Sequence, residues 1–145
     1  MSLIKDIYDL LKDGATLATQ KMEVKRALKT ELKLNRKCLA DIENREMIDD
    51  ERRRAIIQML DIIEISEAMR LVIPLQLFER KKVSEELAAK FKITRLVGAS
   101  VEDVVESLYL KISYLKKDAN NNRIDLNLRL INIYKCNRVL LELLK

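Results

Sequence analysis

The sequence predicts an all-α fold, an antiparallel bundle of about five helices forming one domain over residues 1–145. Three observations predict it. The chain contains only two glycines and one proline, the residues that most often punctuate structure, so it must run in long elements. Leu, Ile, Lys, Glu and Arg dominate the rest, and these are mostly good helix formers. Apolar residues recur at steps of three and four, the spacing that places them on one side of a helix.

The first helix follows from Leu3, Ile7, Leu10, Leu17, Val24, Leu28, Leu32, Leu39 and Ile42. Ser2 suits its N-cap. An unbroken element from Ser2 to Asn44 spans roughly 60 Å at 1.5 Å per residue. Gly14 lies on its buried side and either lets another helix approach closely or divides the element in two. A second helix begins at Asp49, Asp50 and Glu51, where carboxylates meet the positive end of the helix dipole. From Ala55 to Phe78 the residues are apolar on nearly every side, which predicts a central helix over Asp50–Phe78. Pro74 kinks or ends it.

Ser84 caps a third helix, Glu85 to about Val97, and Gly98 ends it. Ser100 with Asp103 forms a capping box for a fourth, carrying Val101, Val104, Val105, Leu108, Ile112 and Leu115. Asn120, Asn121 and Asn122 make the most loop-like segment. A last helix runs from about Arg123 to Leu144. Its first half, Ile124, Leu126, Leu128 and Leu130, alternates like a strand, but no partner strand is in view.

Composition bounds the chemistry. The chain has no histidine, the usual general base and commonest metal ligand near neutral pH. That excludes Ser-His and Cys-His nucleophiles, His-based zinc sites and His-dependent nucleases, and the expectation is no enzyme and no cofactor. Cys38 and Cys136 form no CxxC pair, so a zinc site is disfavoured. The acids Asp61, Glu64 and Glu67 flank the central helix, and no Glu-x-x-His completes a di-iron set. No stretch reaches 18 consecutive apolar residues and no apolar leader segment is evident. The expected location is cytoplasmic, with both thiols reduced.

Four features bear on function. Lys25, Arg26, Lys29, Lys33, Arg36 and Lys37 fall within an arc of roughly 120° on the first helix. Such a face either docks on phosphates or is simply solvated. The net charge of +5, from 28 basic and 23 acidic residues, permits nucleic-acid binding without demanding it. Aromatics at 4% argue against a base-stacking surface. Residues 83–105, VSEELAAKFKITRLVGASVEDVV, resemble a helix-turn-helix, with Lys92 where the turn glycine is usual and Gly98 inside the supposed recognition helix. An ordinary helical hairpin explains the run equally well. The segment Leu3, Ile4, Ile7, Leu10 and Leu11 is amphipathic, but its polar side balances Lys5 and Lys12 against Asp6, Asp9 and Asp13. Membrane insertion is therefore disfavoured.

Finally, the last helix has a wider apolar girth than a surface helix needs. Ile131, Tyr134, Leu140, Leu141 and Leu144 are the candidate association face, since surplus apolar surface marks contact sites. The expected function is a non-catalytic helical interaction or assembly module working with a protein partner or a second copy of itself. Nucleic-acid binding through the basic stripe or residues 83–105 is the alternative, and a membrane-associated bundle the third.

Overall fold

A computed structural model describes residues 2–5, 17–43, 48–71, 78 and 80–145. Helix makes up 74% of the structure. Among the described residues there are no strands, only one isolated backbone bridge between Lys82 and Ser100. The all-α expectation holds. The helices are α1 (Leu17–Cys38), α2 (Ala40–Glu43), α3 (Asp50–Met59), α4 (Ile63–Leu71), α5 (Glu85–Lys90), α6 (Val101–Lys117) and α7 (Leu126–Leu143), with a 3-10 turn at Thr94–Leu96.

Helix α1 buries Val24, Leu28 and Leu32, with Leu39 buried just beyond its end, as the three-four spacing requires. The continuous element from Ser2 to Asn44 is not seen: α1 stops at Cys38, Leu39 is a turn, and α2 is a single short helix. Gly14, Ile7 and Leu10 lie outside the described residues. At the start of the chain Ser2 does cap, accepting from the Lys5 N–H at 3.2 Å. The buried side chain there is Ile4; Leu3 is exposed.

The expected central helix over Asp50–Phe78 is divided between α3 and α4. Asp49 caps α3, accepting from the Arg52 N–H at 2.7 Å. At Leu60 the chain turns extended (φ −63°, ψ 131°). The cause is a set of polar side chains that satisfy the backbone at the break, so the helix has no need to continue. The Asn35 amide, projecting from α1, donates to the Asp61 carbonyl at 2.7 Å and accepts from the Asp61 N–H at 2.9 Å. The break also explains the all-round apolar pattern. Two short helices face the core in different directions, burying Ile56, Ile57, Leu60, Ile65 and Ala68 while exposing Met59 and Ile63. Pro74 lies outside the described residues.

The third expected helix also ends early. Ser84 caps α5 through the Leu87 N–H at 3.1 Å, but α5 stops at Lys90. Lys92 takes a left-handed conformation (φ 53°), which costs a non-glycine residue energy. The turn is held by the Ile93 N–H donating to the Ala88 carbonyl at 2.9 Å, which buries Ile93. Gly98 adopts φ 82°, a conformation that suits glycine. Around this loop Val83 exchanges backbone hydrogen bonds with Gly98 and Ala99, both 2.8 Å. The Ser100–Asp103 capping box forms as expected, opening α6.

Helix α7 starts at Leu126, three residues later than expected, capped by Asp125. Its strand-like alternation resolves as helix: Leu126 and Leu130, four apart, are buried, and Leu128 is exposed. Helices α6 and α7 form an antiparallel pair. Arg129 meets Asp118 at 2.7 Å near the connecting loop, and the Cys136 thiol lies 3.8 Å from the Val104 carbonyl deeper in the pair. Helix α1 packs on the same α7, tied by the Asn137 amide donating to the Leu32 carbonyl at 3.0 Å. Lys116 donates to the Ile57 carbonyl at 2.9 Å, satisfying the C-terminal end of α3. Among the described residues the most extensively buried helix is thus α7, rather than α3 or α4.

Candidate functional site

Two carboxylates are buried where they hold helix ends. Glu31 on α1 accepts from the N–H groups of Glu64 (2.7 Å) and Ile65 (3.0 Å), the first turn of α4. Glu64 in turn accepts from the N–H groups of Leu3 (2.6 Å) and Ile4 (2.9 Å) and from the Ser2 hydroxyl (3.1 Å). Orphan helix N–H groups and a carboxylate suit each other. Burial pushes the Glu31 carboxyl up to about 7, against the two backbone hydrogen bonds, and the nearby Asp61 and Glu64 carboxylates add to the rise. The acidic row read from the sequence therefore has three fates. Asp61 accepts from the Ile63 N–H at 3.1 Å, Glu64 caps the first turn of the chain, and Glu67 pairs with Arg70 at 2.7 Å. Among the described residues no group of three acid, cysteine or histidine side chains is placed to hold a metal ion. Cys136 is buried, which raises its thiol to about 11, and burial raises Cys38 as well. Neither has the depressed pKa of a reactive thiol.

The basic stripe forms one face of α1. Lys33 and Lys37 are exposed, Lys25 and Lys29 partly so, and none of these four has a hydrogen bond or ion pair among the described residues. Arg26 lies 3.8 Å from Glu23, and Arg36 has a partner. Met22, Lys25, Arg26, Lys29, Thr30 and Lys33 line a shallow depression of about 310 Å³.

The candidate association face on α7 does not stay together. Leu140, Leu141 and Leu144 are core residues. Their apolar girth is used inside the domain, because α7 is covered by α1 on one side and α6 on another. Tyr134 is half-buried beneath the Arg138 guanidinium, 5.9 Å from its ring centre. Ile131 alone of the five is exposed. Aspartate at Leu141 or Leu144 would therefore disrupt the core rather than trim a contact.

In residues 83–105 the turn at Lys92 is followed by the 3-10 turn Thr94–Leu96 and by Gly98 at φ 82°, and helix resumes only at Val101. The second helix expected after Thr94 is therefore absent, and the exposed N-terminal residues of α6 are Glu102, Asp103 and Glu106. A recognition helix places its N-terminal residues against the bases and phosphates. Three carboxylates at that helix start would repel a phosphate backbone.

Two features were not legible as sites in the sequence. The outer stripe of α6 runs Glu102, Asp103, Glu106, Leu110, Tyr114, Lys117, all exposed. It is acidic at one end, apolar in the middle and basic at the other. Its spacing was visible, but which side of α6 faces outward was not. On its flank, Arg95, Lys111, Tyr114, Asp118, Arg129 and Asn132 line a cleft of about 410 Å³ between α6, α7 and the 3-10 turn. Burial, with Arg95 nearby, lowers the Lys111 pKa. No spacing rule brings residues 95, 111 and 129 together.

Among the described residues no helix is long and apolar enough to cross a membrane. Compared with protein-family models, curated proteins and solved structures, the chain matches none.

Proposed function

We propose that this protein is a non-catalytic helical assembly module that associates with a second copy of itself through the outer stripe of α6. The observation that carries the reading is the graded charge of that stripe. An antiparallel copy of α6 turned about Leu110 sets Leu110 against Leu110. It also sets Asp103 across from Lys117, and Glu106 across from the Tyr114 hydroxyl. Each pair then occurs twice, as a two-fold interface requires. Opposite charges at both ends select the antiparallel register and disfavour the parallel one. Leu110 is 40% exposed and Tyr114 56%, so both have apolar surface to lose on contact. A contact of roughly one helix is smaller than the 1,200–2,000 Å² of stable complexes, so the dimer is weak and concentration-dependent.

Sedimentation velocity tests this. The wild type should shift from monomer to dimer across the micromolar range. Leu110→Asp should remain monomeric and folded, and Lys117→Glu should weaken the dimer by placing like charges together. A wild type that stays monomeric at high micromolar concentration ends the reading.

A second reading rests on Lys25, Lys29, Lys33 and Lys37 of α1, which have no partner among the described residues and could meet phosphates of a nucleic acid. The modest net charge and the acids elsewhere on the surface weigh against it. The expected result is no submicromolar binding to duplex DNA at about 150 mM salt, a range in which phosphate contacts are already strongly weakened. If such binding is found, replacing Lys29, Lys33 and Arg36 by glutamine should lower it equally for all sequences and flatten its salt dependence. Stability should change by less than about 0.5 kcal/mol.

A further inference from the structure

The cleft between α6, α7 and the 3-10 turn has three cationic side chains and one acid on its walls. The acid is already committed, since Asp118 pairs with Arg129 at 2.7 Å. Arg95 and Lys111 have no hydrogen bond or ion pair among the described residues. Lys111 is nonetheless half-buried, a position in which an ammonium group normally has an anionic partner. Two cations on one concave wall, without a counter-charge among the described residues, leave a positive potential that a dianion would relieve. Arginine and lysine are also the side chains that hold phosphate oxygens, the first by its fork of N–H donors and the second as a point charge.

The cleft, about 410 Å³, falls in the range of small-molecule sites and is larger than a bare phosphate needs. The rest of its lining has a definite character. The Tyr114 ring forms one wall, and the Asn132 side chain, with no hydrogen bond among the described residues, supplies a donor and an acceptor. An aromatic wall and a carboxamide suit a flat, polar ring.

We propose that this cleft binds a phosphate monoester of about mononucleotide size, with the phosphate held by Arg95 and Lys111 and the organic part lying against Tyr114 and Asn132. The cleft shares Tyr114 with the proposed self-association contact but not Leu110, on which that contact is centred.

The test is an NMR titration of the full chain with adenosine monophosphate, inorganic phosphate and adenosine as probes. Adenosine monophosphate should give saturable shifts at residues 95, 111, 114, 129 and 132. Inorganic phosphate should bind more weakly at the same place, and adenosine should not bind. Lys111→Gln and Arg95→Gln should each weaken the nucleotide about tenfold or more, the scale of one lost charge-assisted contact, with circular dichroism confirming that both variants are folded. Lys29→Gln, on the α1 stripe, should bind like the wild type, and Leu110→Asp, which frees Tyr114 from the proposed dimer, should bind at least as tightly. No saturable shift up to about 10 mM nucleotide, weaker than any useful affinity on the ordinary scale, would overturn the site. So would equal binding of phosphate and nucleotide, undiminished binding by Lys111→Gln, or shifts confined to the α1 lysines.

Discussion

Leu140→Asp is expected to abolish folding. Leu140 is fully buried on α7, within the apolar core that also holds Val104, Leu108 and Leu32. Truncating such a leucine alone costs about 2–5 kcal/mol. An aspartate adds a carboxylate in apolar surroundings, which must either stay charged without a partner or take up a proton, at a cost of several kcal/mol more. The sum approaches the whole stability of a domain this size, about 5–15 kcal/mol. Circular dichroism should show loss of the cooperative melt, and most of the expressed protein should be insoluble. Leu110→Asp provides the contrast: one helix away, on an exposed face, the same substitution should leave the melt nearly unchanged. A Leu140→Asp variant with a normal melting transition would show that Leu140 is not part of the core.

The second large effect lies at Glu31. Glu31→Ala leaves the N–H groups of Glu64 and Ile65 without their acceptor in a buried place. At about 1–3 kcal/mol for each unsatisfied group, a loss near 3 kcal/mol is expected in chemical denaturation at pH 5. The carboxyl also makes stability depend on pH. Its pKa rises from an ordinary 4.5 to about 7 on folding because burial disfavours the charge. Over the interval between these values the folded state binds more protons than the unfolded state. The stability Glu31 contributes is therefore complete below about pH 4.5 and is lost as pH rises through about 7. Glu31→Gln keeps one accepting oxygen and cannot ionise. It should start lower than the wild type at pH 5 but show a flatter profile up to pH 7. Identical slopes for the two proteins over that interval would remove Glu31 as the source.

These two residues also show how far the sequence could be read. The three-four spacing of Val24, Leu28 and Leu32, and that of Val101, Val104, Val105, Leu108, Ile112 and Leu115, identified buried faces correctly. Periodicity reports a side of a helix, and those helices have one buried side. The caps at Ser2, Ser84 and Ser100 were legible because capping is local chemistry, completed within three residues. Helix ends held by distant side chains were not legible. The break at residues 60–62 depends on Asn35 and Glu31, about thirty residues earlier in the chain. In the sequence these two are only polar residues among lysines and leucines of α1.

The apolar girth of α7 was misread for a related reason. A wide apolar perimeter means either a contact surface or a helix covered from several sides, and local sequence does not distinguish them. Packing by α1 and α6 decided it, leaving Leu140, Leu141 and Leu144 inside and Ile131 at the surface. The cleft of Arg95, Lys111 and Arg129 has the same origin, since its three cations come from three separate segments. The sequence by itself determined the all-α class, the buried stripes and the local caps, because each follows from interactions spanning one or two helical turns. Only the tertiary structure decided where the long apolar segment breaks, which helix is most extensively buried among the described residues, and which charges meet around a cavity. Each of these depends on contacts between residues far apart in the chain, and helical periodicity carries no information about them.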